Sequence, residues 1–244
     1  MDLKLSGLHV VVTGASFGTG SSVVQKFLEE GAHVYFCART QSGINKFLTS
    51  TNNHPNLFGK ALDVTDIYAF DQWLTEIKHV DVFIPNVSAL SDNWNKSIEI
   101  DLNSTIKSVE LIIPYLKQSK QAAITYIGSV ASSFANSHVM PSYGATKLAI
   151  TYYMKTLSKN LIKDNIRVNT VSPGHTFASG GFWDRIKQNN PKIYQDAINS
   201  GPMGRMATGE EIANVVTFIS SPIASFVNGA NWIVDGNLTD HIQN

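Results

Sequence analysis

The chain has 244 residues, of which 43% are hydrophobic and 16% are charged, and its 19 basic and 19 acidic residues give a formal net charge of zero at pH 7. This composition fits one large globular domain with a sizeable core. Scattered basic residues argue against a nucleic acid partner, and no apolar run reaches the length of about 18 residues that a membrane span needs. The single cysteine, Cys37, and an N-terminus without an apolar signal segment predict a reducing, cytoplasmic setting.

Short apolar runs alternate with amphipathic helical patterns along the whole chain. This alternation predicts βαβ units in an α/β fold, with a Rossmann-type, doubly wound, seven-stranded parallel sheet in one domain over residues 1–244. The strands are predicted at residues 9–13, 33–38, 57–62, 80–84, 121–128, 166–171 and 231–235. Helices are predicted at residues 18–30, 66–78, 142–162 and 94–118, the last one interrupted by Pro114.

Residues 173–205 are the one long stretch without a clear period, and they are rich in Gly, Ser and Asn. They follow a predicted strand end, where open α/β sheets place their ligands. We therefore expect a mobile lid over a substrate at about residues 174–205. The alternative is a surface loop that has no functional role.

A glycine-rich turn follows the first predicted strand. Gly14, Gly18 and Gly20 allow a tight turn, a close approach of phosphate to the backbone, and close packing of the next helix on the strand. An ordinary strand-to-helix turn is the alternative. The pattern predicts a nucleotide phosphate site, and the residues between the glycines complete the predicted contacts: Ser16, Phe17 and Thr19.

The end of the second predicted strand bears on the choice of cofactor. In dinucleotide folds an acidic residue at this place binds the ribose 2′-hydroxyl, whereas an arginine suits a 2′-phosphate. Here Ala38 occupies the position, and Arg39 and Thr40 follow. A guanidinium without a neighbouring carboxylate favours NADP(H) over NAD(H). The alternative is that Arg39 only ends a strand in solvent.

Tyr143 and Lys147 stand four residues apart in Pro-Ser-Tyr-Gly-Ala-Thr-Lys. Residues at this spacing share one face of a helix. A nearby cation favours the phenolate, so we expect the pKa of Tyr143 to be lowered towards the range of a general acid or base. An ordinary helical tyrosine is the alternative, as at Tyr152 and Tyr153, but neither of those has a lysine four residues later.

The glycine run and the Tyr-x-x-x-Lys pair, in this order, resemble the short-chain dehydrogenase/reductase family, and in particular its 3-oxoacyl-ACP reductases. The resemblance extends from about residue 5 to residue 237. It implies reversible reduction of a ketone or aldehyde to an alcohol with NADP(H), with a 3-oxoacyl thioester as one candidate substrate. It also implies a homo-oligomer, a dimer or a tetramer.

The same resemblance assigns catalytic roles. It implies that Tyr143 donates the proton, that Lys147 lowers the tyrosine pKa and contacts the nicotinamide ribose beside it, and that Ser129 orients the carbonyl oxygen. Ser132 and Ser133 are rivals of Ser129.

Further cofactor contacts follow from the resemblance. Asp63 and Val64 correspond to the pair that holds the adenine ring, although a surface turn is an alternative for the aspartate. Asn86 corresponds to the last Asn of the Asn-Asn-Ala-Gly signature, as a packing or ribose-side residue. Pro173, Gly174 and Thr176 correspond to the turn whose backbone contacts the nicotinamide amide. Ser179 is an alternative to Thr176.

The chain also departs from the family pattern, at Pro85, Val87, Ser88, Asp101 and Ala178. Asp101 stands where the family has a catalytic asparagine. It is expected to keep the main-chain carbonyl for a relay water, and its charge is expected to stabilise Lys147 as a cation. These departures support a second hypothesis, a cofactor-binding redox sensor or interaction module without turnover. No histidine or cysteine spacing predicts a metal site, and His138 and His175 receive no role.

Overall fold

The computed structural model describes residues 1–134 and 140–240. Its centre is a seven-stranded, all-parallel sheet in the order β3-β2-β1-β4-β5-β6-β9. These strands are β1 His9–Thr13, β2 His33–Ala38, β3 Leu57–Ala61, β4 Val82–Ile84, β5 Ala123–Ile127, β6 Arg167–Pro173 and β9 Asn231–Val234. A separate two-stranded sheet pairs β7 Thr176–Phe177 with β8 Ala207–Thr208.

Helices cover both faces of the sheet. Their bounds are α1 Gly18–Glu29, α2 Gln41–Ser50, α3 Ile67–Ile77, α4 Trp94–Lys96, α5 Ser104–Leu116, α6 Pro141–Leu161, α7 Phe182–Asn189, α8 Pro191–Ser200 and α9 Gly209–Ser220. Within the two described ranges, no helix is both long enough and apolar enough to cross a bilayer.

Alternate side chains of β1 enter two different cores. Val10 and Val12 pack with α1, α2 and α9 on one face, and Val11 packs with α3, α5 and α6 on the other. Successive side chains of a strand point to opposite faces, so a strand buried on both sides must be apolar throughout. This explains why the buried strands read as continuous apolar runs, and the predicted α/β fold with its seven parallel strands is confirmed.

The sheet order reverses between β1 and β4. On one side of β1 the neighbouring strands are β2 and then β3. On the other side they are β4, β5, β6 and β9. In open parallel sheets the loops after the strands separate at such a point and leave a crevice for ligands. The site described below lies at the carboxyl ends of these strands.

The predicted helix 94–118 differs from the structure in two ways. It is divided into the short α4, a π-helix at Ser97–Asn103, and α5. The predicted break at Pro114 was wrong, because the proline lies inside α5, which ends two residues later at Leu116. A missing N–H in the last turn removes one hydrogen bond without breaking the helix.

The prediction of an irregular segment at 173–205 was also wrong, because this segment contains β7, α7 and α8. No residue of α7 or α8 is fully buried, but both helices are amphipathic. Local signals also mark the start of α8. Asn190 accepts a hydrogen bond from the backbone of Ile193 as an N-cap, and Pro191 opens α8. The helices α2 and α9 were likewise not predicted.

Candidate functional site

A cavity of about 1180 Å³ opens at the carboxyl edge of the sheet. It is lined by the predicted cofactor residues of the glycine turn, the second and third strand ends, Asn86 and the turn after β6, and also by Ser129, Tyr143 and Lys147. Asp101 is the exception among the predicted site residues, because it is buried behind the cavity and does not line it.

The glycine turn packs against the loop that follows β4. Gly14 has a φ of +66°, and a Cβ there would lie 2.7 Å from Cγ2 of Val87. A Cβ on Gly20 would lie 2.5 Å from Nδ2 of Asn86. That amide donates to the carbonyls of Thr13 and Gly14, both at 3.0 Å. Asn86 therefore fixes the turn between β1 and α1, and side chains larger than hydrogen are excluded at both glycines.

An anion-binding corner lies at the start of α2. Thr40 is the N-cap of this helix, and its Oγ1 accepts from the backbone of Gly43 at 3.2 Å. A Cβ built on Gly43 would lie 3.3 Å from Oγ of Ser16, so the glycine turn reaches this corner. Arg39 is exposed beside it, and the first turn of α2 carries no acidic residue. The helix N-terminus and the guanidinium both favour a negative group here.

Asp63 shapes the turn after β3. Its Oδ1 accepts from the backbone amide and the hydroxyl of Thr65, at 3.0 and 2.8 Å. Val64 beside it is buried and lines the cavity. The aspartate is thus held by its own turn, with an apolar wall next to it that suits a flat ring.

Tyr143 and Lys147 project from α6 into the cavity beside the end of β5. Nζ of Lys147 donates to the carbonyl of Ile127 at 2.9 Å and lies 5.7 Å from the ring centroid of Tyr143. The side chain of Ser129 forms a hydrogen bond with Tyr143. The backbone amide of Ala131 donates to Oγ of Ser129 at 3.2 Å, which leaves the serine hydroxyl free to donate elsewhere.

The rival serines lie outside the cavity. Ser132 turns its hydroxyl back to the carbonyl of Ser129 at 2.8 Å, and neither Ser132 nor Ser133 lines the cavity. Of the three serines after β5, Ser129 alone combines contact with Tyr143 and access to the cavity.

Burial dominates the titration of the pair. It raises the pKa of Tyr143 to about 12, with a further increase from the charge of Asp101 and an opposing decrease from the hydrogen bond with Ser129. Burial lowers the pKa of Lys147 to about 8, and Asp101 opposes that change. The predicted lowering of the Tyr143 pKa is therefore wrong for this structure, because desolvation of the phenolate outweighs the lowering by the hydrogen bond with Ser129. Tyr143 carries its proton at neutral pH.

Asp101 does not line the cavity, but its charge affects the pKa of both Tyr143 and Lys147. It lies in the π-helix, is fully buried, and accepts a hydrogen bond of 2.9 Å at Oδ1 from the backbone amide of Ala89. Its Oδ2 is also buried and has no hydrogen-bond partner among the residues that the structure describes. Its side chain thus ties the loop after β4 to this helix, and its charge raises the pKa of both Tyr143 and Lys147.

The turn after β6 continues directly into the predicted lid. Thr176 lines the cavity and donates from Oγ1 to the carbonyl of Gly174 at 3.1 Å. Ser179 does not line the cavity, but its carbonyl accepts from the backbone amide of Gly18 at 3.0 Å. A Cβ on Gly180 would lie 3.2 Å from Cβ of Phe17. The start of the lid segment therefore packs on the glycine turn.

Several residues that line the cavity were not predicted from the sequence. Those on the lid side include residues of α7 and α8, for which the amphipathic spacing of the two helices is the signal that would have found them: Phe182, Trp183, Ile186, Ile193 and Ala197. Others come from the loop after β4, such as Ala89 and Leu90. His175 lies in a segment that was expected to reach the pocket and does line it, whereas His138 lies outside the described residues.

Comparison with known proteins gives consistent matches. The model of the family described as short chain dehydrogenase matches residues 8–184. Isoepoxydon dehydrogenase patN of Penicillium expansum is 34% identical over 96% of this chain and 95% of that protein. The 3-oxoacyl-[acyl-carrier-protein] reductase FabG of Vibrio harveyi is 26% identical over 97% of this chain and 99% of that protein.

Solved structures match over nearly the same length. L-sorbose reductase from Gluconobacter frateurii, complexed with NADPH and L-sorbose, superposes with a TM-score of 0.89 at 25% identity and covers 99% of this chain and 100% of its own. The RhlG/NADP active-site complex of Pseudomonas aeruginosa gives a TM-score of 0.89 at 25% identity, over 97% of this chain and 98% of its own.

Proposed function

This chain belongs to the short-chain dehydrogenase family and is an oxidoreductase by family, and we propose that it interconverts a ketone or aldehyde with an alcohol, using NADP(H). One observation carries the proposal. Ser129, Tyr143 and Lys147 meet in the same cavity as the glycine turn, so a proton donor stands where a bound nicotinamide would reach.

The residues of the chain supply the proton and the orientation, while NADPH supplies the hydride when bound. The substrate oxygen accepts hydrogen bonds from Ser129 and Tyr143, which orients the carbonyl and stabilises the charge that develops on its oxygen. As the carbonyl carbon gains the hydride, the phenol of Tyr143 transfers its proton to that oxygen. Lys147 lies close enough to stabilise the phenolate that remains. One hydride and one proton added to C=O give the alcohol.

NADP(H) is preferred over NAD(H) in this proposal. Arg39, Thr40 and Ser16 surround the N-terminus of α2, and a 2′-phosphate would complete this cationic corner. An adenosine without that phosphate would leave Arg39 in solvent. The structural relatives described above that bind NADP or NADPH agree with this choice.

The substrate is a carbonyl compound small enough to share the cavity with the cofactor. The relatives named above act on different substrates, so a 3-oxoacyl thioester is one candidate among ketones and aldehydes. We include the segment 174–205 in the proposal as the lid, because its first residues pack on the glycine turn and its helices α7 and α8 line the cavity.

Assembly into a homodimer or homotetramer in the cytoplasm completes the proposal. Leu148 and Tyr152 on α6, and Phe226 before β9, are exposed apolar side chains. A second copy of the chain would cover such side chains. Light scattering of the purified protein measures this directly.

The test of the activity is a panel of ketones and aldehydes, with NADPH oxidation followed by absorbance. At least one carbonyl should be reduced, and the rate with NADPH should exceed that with NADH. Tight NADPH binding without turnover across the panel would instead support the redox sensor.

A further inference from the structure

His175 lies where the turn after β6 meets the lid. Its carbonyl accepts from the backbone amide of Ala207 at 2.9 Å, which fixes the backbone beside the β7–β8 pair. Its ring lines the cavity, and Nδ1 lies 3.2 Å from the carbonyl oxygen of Ala197 on α8. The reaction described above gives this imidazole no role.

The contact with Ala197 fixes the tautomer of the ring. A carbonyl oxygen only accepts hydrogen bonds, so Nδ1 of His175 must carry the hydrogen. Burial lowers the pKa of His175, which keeps the ring neutral at neutral pH. Nε2 is then an acceptor, and the one side-chain hydrogen bond that His175 forms within residues 1–134 and 140–240 is the bond through Nδ1, so Nε2 is available to a ligand in the cavity.

The surroundings of the ring are mostly apolar. Trp183 meets it edge-on with ring centroids 4.7 Å apart, and Phe182 packs against Trp183 at 5.3 Å. Ile186 and Ile193 also line this part of the cavity. The charged residues that line the cavity from the lid side and from α4 are exposed, where solvent screens them: Lys96, Arg185 and Asp196.

We propose that His175 is a specificity-determining residue that accepts a hydrogen bond from a hydroxyl group of the substrate. The substrate class is then a neutral hydroxyketone with a compact apolar body, because the ring offers one acceptor among aromatic and aliphatic side chains. A 3-oxoacyl thioester has no hydroxyl beside its ketone and fits this wall less well. The inference rests on the proposed carbonyl reduction at the same site.

The expected discrimination follows from leaving a polar atom without a partner. A ketone that lacks the hydroxyl would displace water from Nε2 and return no hydrogen bond, and such a loss reduces kcat/KM by about 10-fold or more. A substrate carboxylate or phosphate near Nε2 would be disfavoured as well, because two acceptors would face each other.

Two substitutions separate the hydrogen bond that Nδ1 of His175 donates to Ala197 from the acceptor that Nε2 provides. His175→Asn retains an amide N–H that can donate to the carbonyl of Ala197, but it has no atom at the position of Nε2. His175→Gln places an amide oxygen near that position. Unchanged NADPH affinity and thermal unfolding would show that both variants keep the fold.

Cyclohexanone and its 2-, 3- and 4-hydroxy derivatives are suitable probes, because the ring fixes the distance between carbonyl and hydroxyl. The wild type should reduce at least one hydroxy isomer with a kcat/KM about 10-fold or more above that for cyclohexanone. In His175→Asn the ratio of kcat/KM for the best hydroxy isomer to that for cyclohexanone should fall to about 1, whatever the absolute rate with cyclohexanone, and His175→Gln should restore part of this ratio. Equal use of all four probes by the wild type, or the same factor lost on every probe in His175→Asn, would overturn the inference and leave the proposed activity intact.

Calorimetric binding of the same probes to the protein with NADP⁺ distinguishes the two proposals. Hydroxyl-dependent binding that disappears in His175→Asn, in a protein without turnover, would support the role of His175 and contradict the proposed activity. Absence of both turnover and hydroxyl-dependent binding would overturn the inference.

Discussion

The carboxyl group of Asp101 accepts a hydrogen bond of 2.9 Å from the backbone amide of Ala89, while its second oxygen is buried and unpaired within the described part of the chain. This contact links the π-helix to the loop after β4, as does the hydrogen bond of 3.0 Å from the hydroxyl of Ser97 to the carbonyl of Ser91. It also fixes a negative charge behind Tyr143 and Lys147, and that charge raises the pKa of both. Asp101 therefore influences proton transfer without touching the cavity.

Asp101→Asn should shift the pH dependence of activity to lower pH. The substitution keeps an acceptor for Ala89 and removes the charge, so the pKa of Tyr143 falls and the tyrosine loses its proton at a lower pH. Carbonyl reduction needs the protonated phenol, so its alkaline limb should move to lower pH. Alcohol oxidation needs the phenolate, so its acid limb should move in the same direction. The measurement is kcat/KM against pH in both directions.

Asp92→Asn is the matched control for this substitution. Asp92 is exposed in the loop before α4, and it should leave both profiles unchanged. An unchanged profile in Asp101→Asn, or a shift to higher pH, would contradict the assigned influence of the carboxylate.

Arg39→Ala should weaken NADPH binding and leave NADH binding nearly unchanged. A charge-assisted hydrogen bond to phosphate contributes about 1.5–3 kcal/mol, which corresponds to a loss of about 10- to 100-fold in affinity. Fluorescence titration with each reduced cofactor measures the two dissociation constants. Lys46→Ala on the exposed side of α2 is the control. Equal weakening of both cofactors would show that Arg39 does not contact a 2′-phosphate.

Gly180→Ala should impair NADPH use through the lid. The residue has a φ of +70°, and its new Cβ would lie 3.2 Å from Cβ of Phe17 in the glycine turn. We expect KM for NADPH to rise about threefold or more, because the lid start would be displaced from that turn. Gly204→Ala is a matched control, since Gly204 has a φ of +65° and a Cβ there would meet nothing within 4 Å.

Both glycine variants should lose stability to a similar extent, by about 1–2 kcal/mol for a left-handed alanine. Only Gly180→Ala should also change KM for NADPH. The same increase of KM in both variants would show that lid packing on the glycine turn is not part of cofactor binding.

The parts of the site that depend on short-range spacing were predictable from the sequence. Tyr143 and Lys147 share a helix face because they are four residues apart, and the glycine turn directly follows an apolar strand. The strand runs were recognisable because burial on both faces demands continuous apolar sequence.

The features of the site that were not predictable depend on contacts between segments far apart in the sequence, or on helices rich in polar residues. The tautomer of His175 is fixed by Ala197, 22 residues later. The helices α7 and α8 are rich in polar residues and bury none of their residues fully, so their amphipathic spacing was not recognised in the sequence. The direction of the Tyr143 pKa shift was mispredicted because local sequence shows the lysine four residues later but not the extent of burial, and burial has the largest effect on this pKa.

The most direct test of the central claim compares Tyr143→Phe with Tyr152→Phe. Both replace a tyrosine of α6, but Tyr152 is 75% exposed and does not line the cavity. With the best carbonyl from the panel, Tyr143→Phe should lower kcat by about 10²- to 10⁴-fold, because the proton donor is lost, while the dissociation constant for NADPH stays unchanged. Tyr152→Phe should retain wild-type turnover. If Tyr143→Phe retained most of its activity, proton donation by Tyr143 would be contradicted.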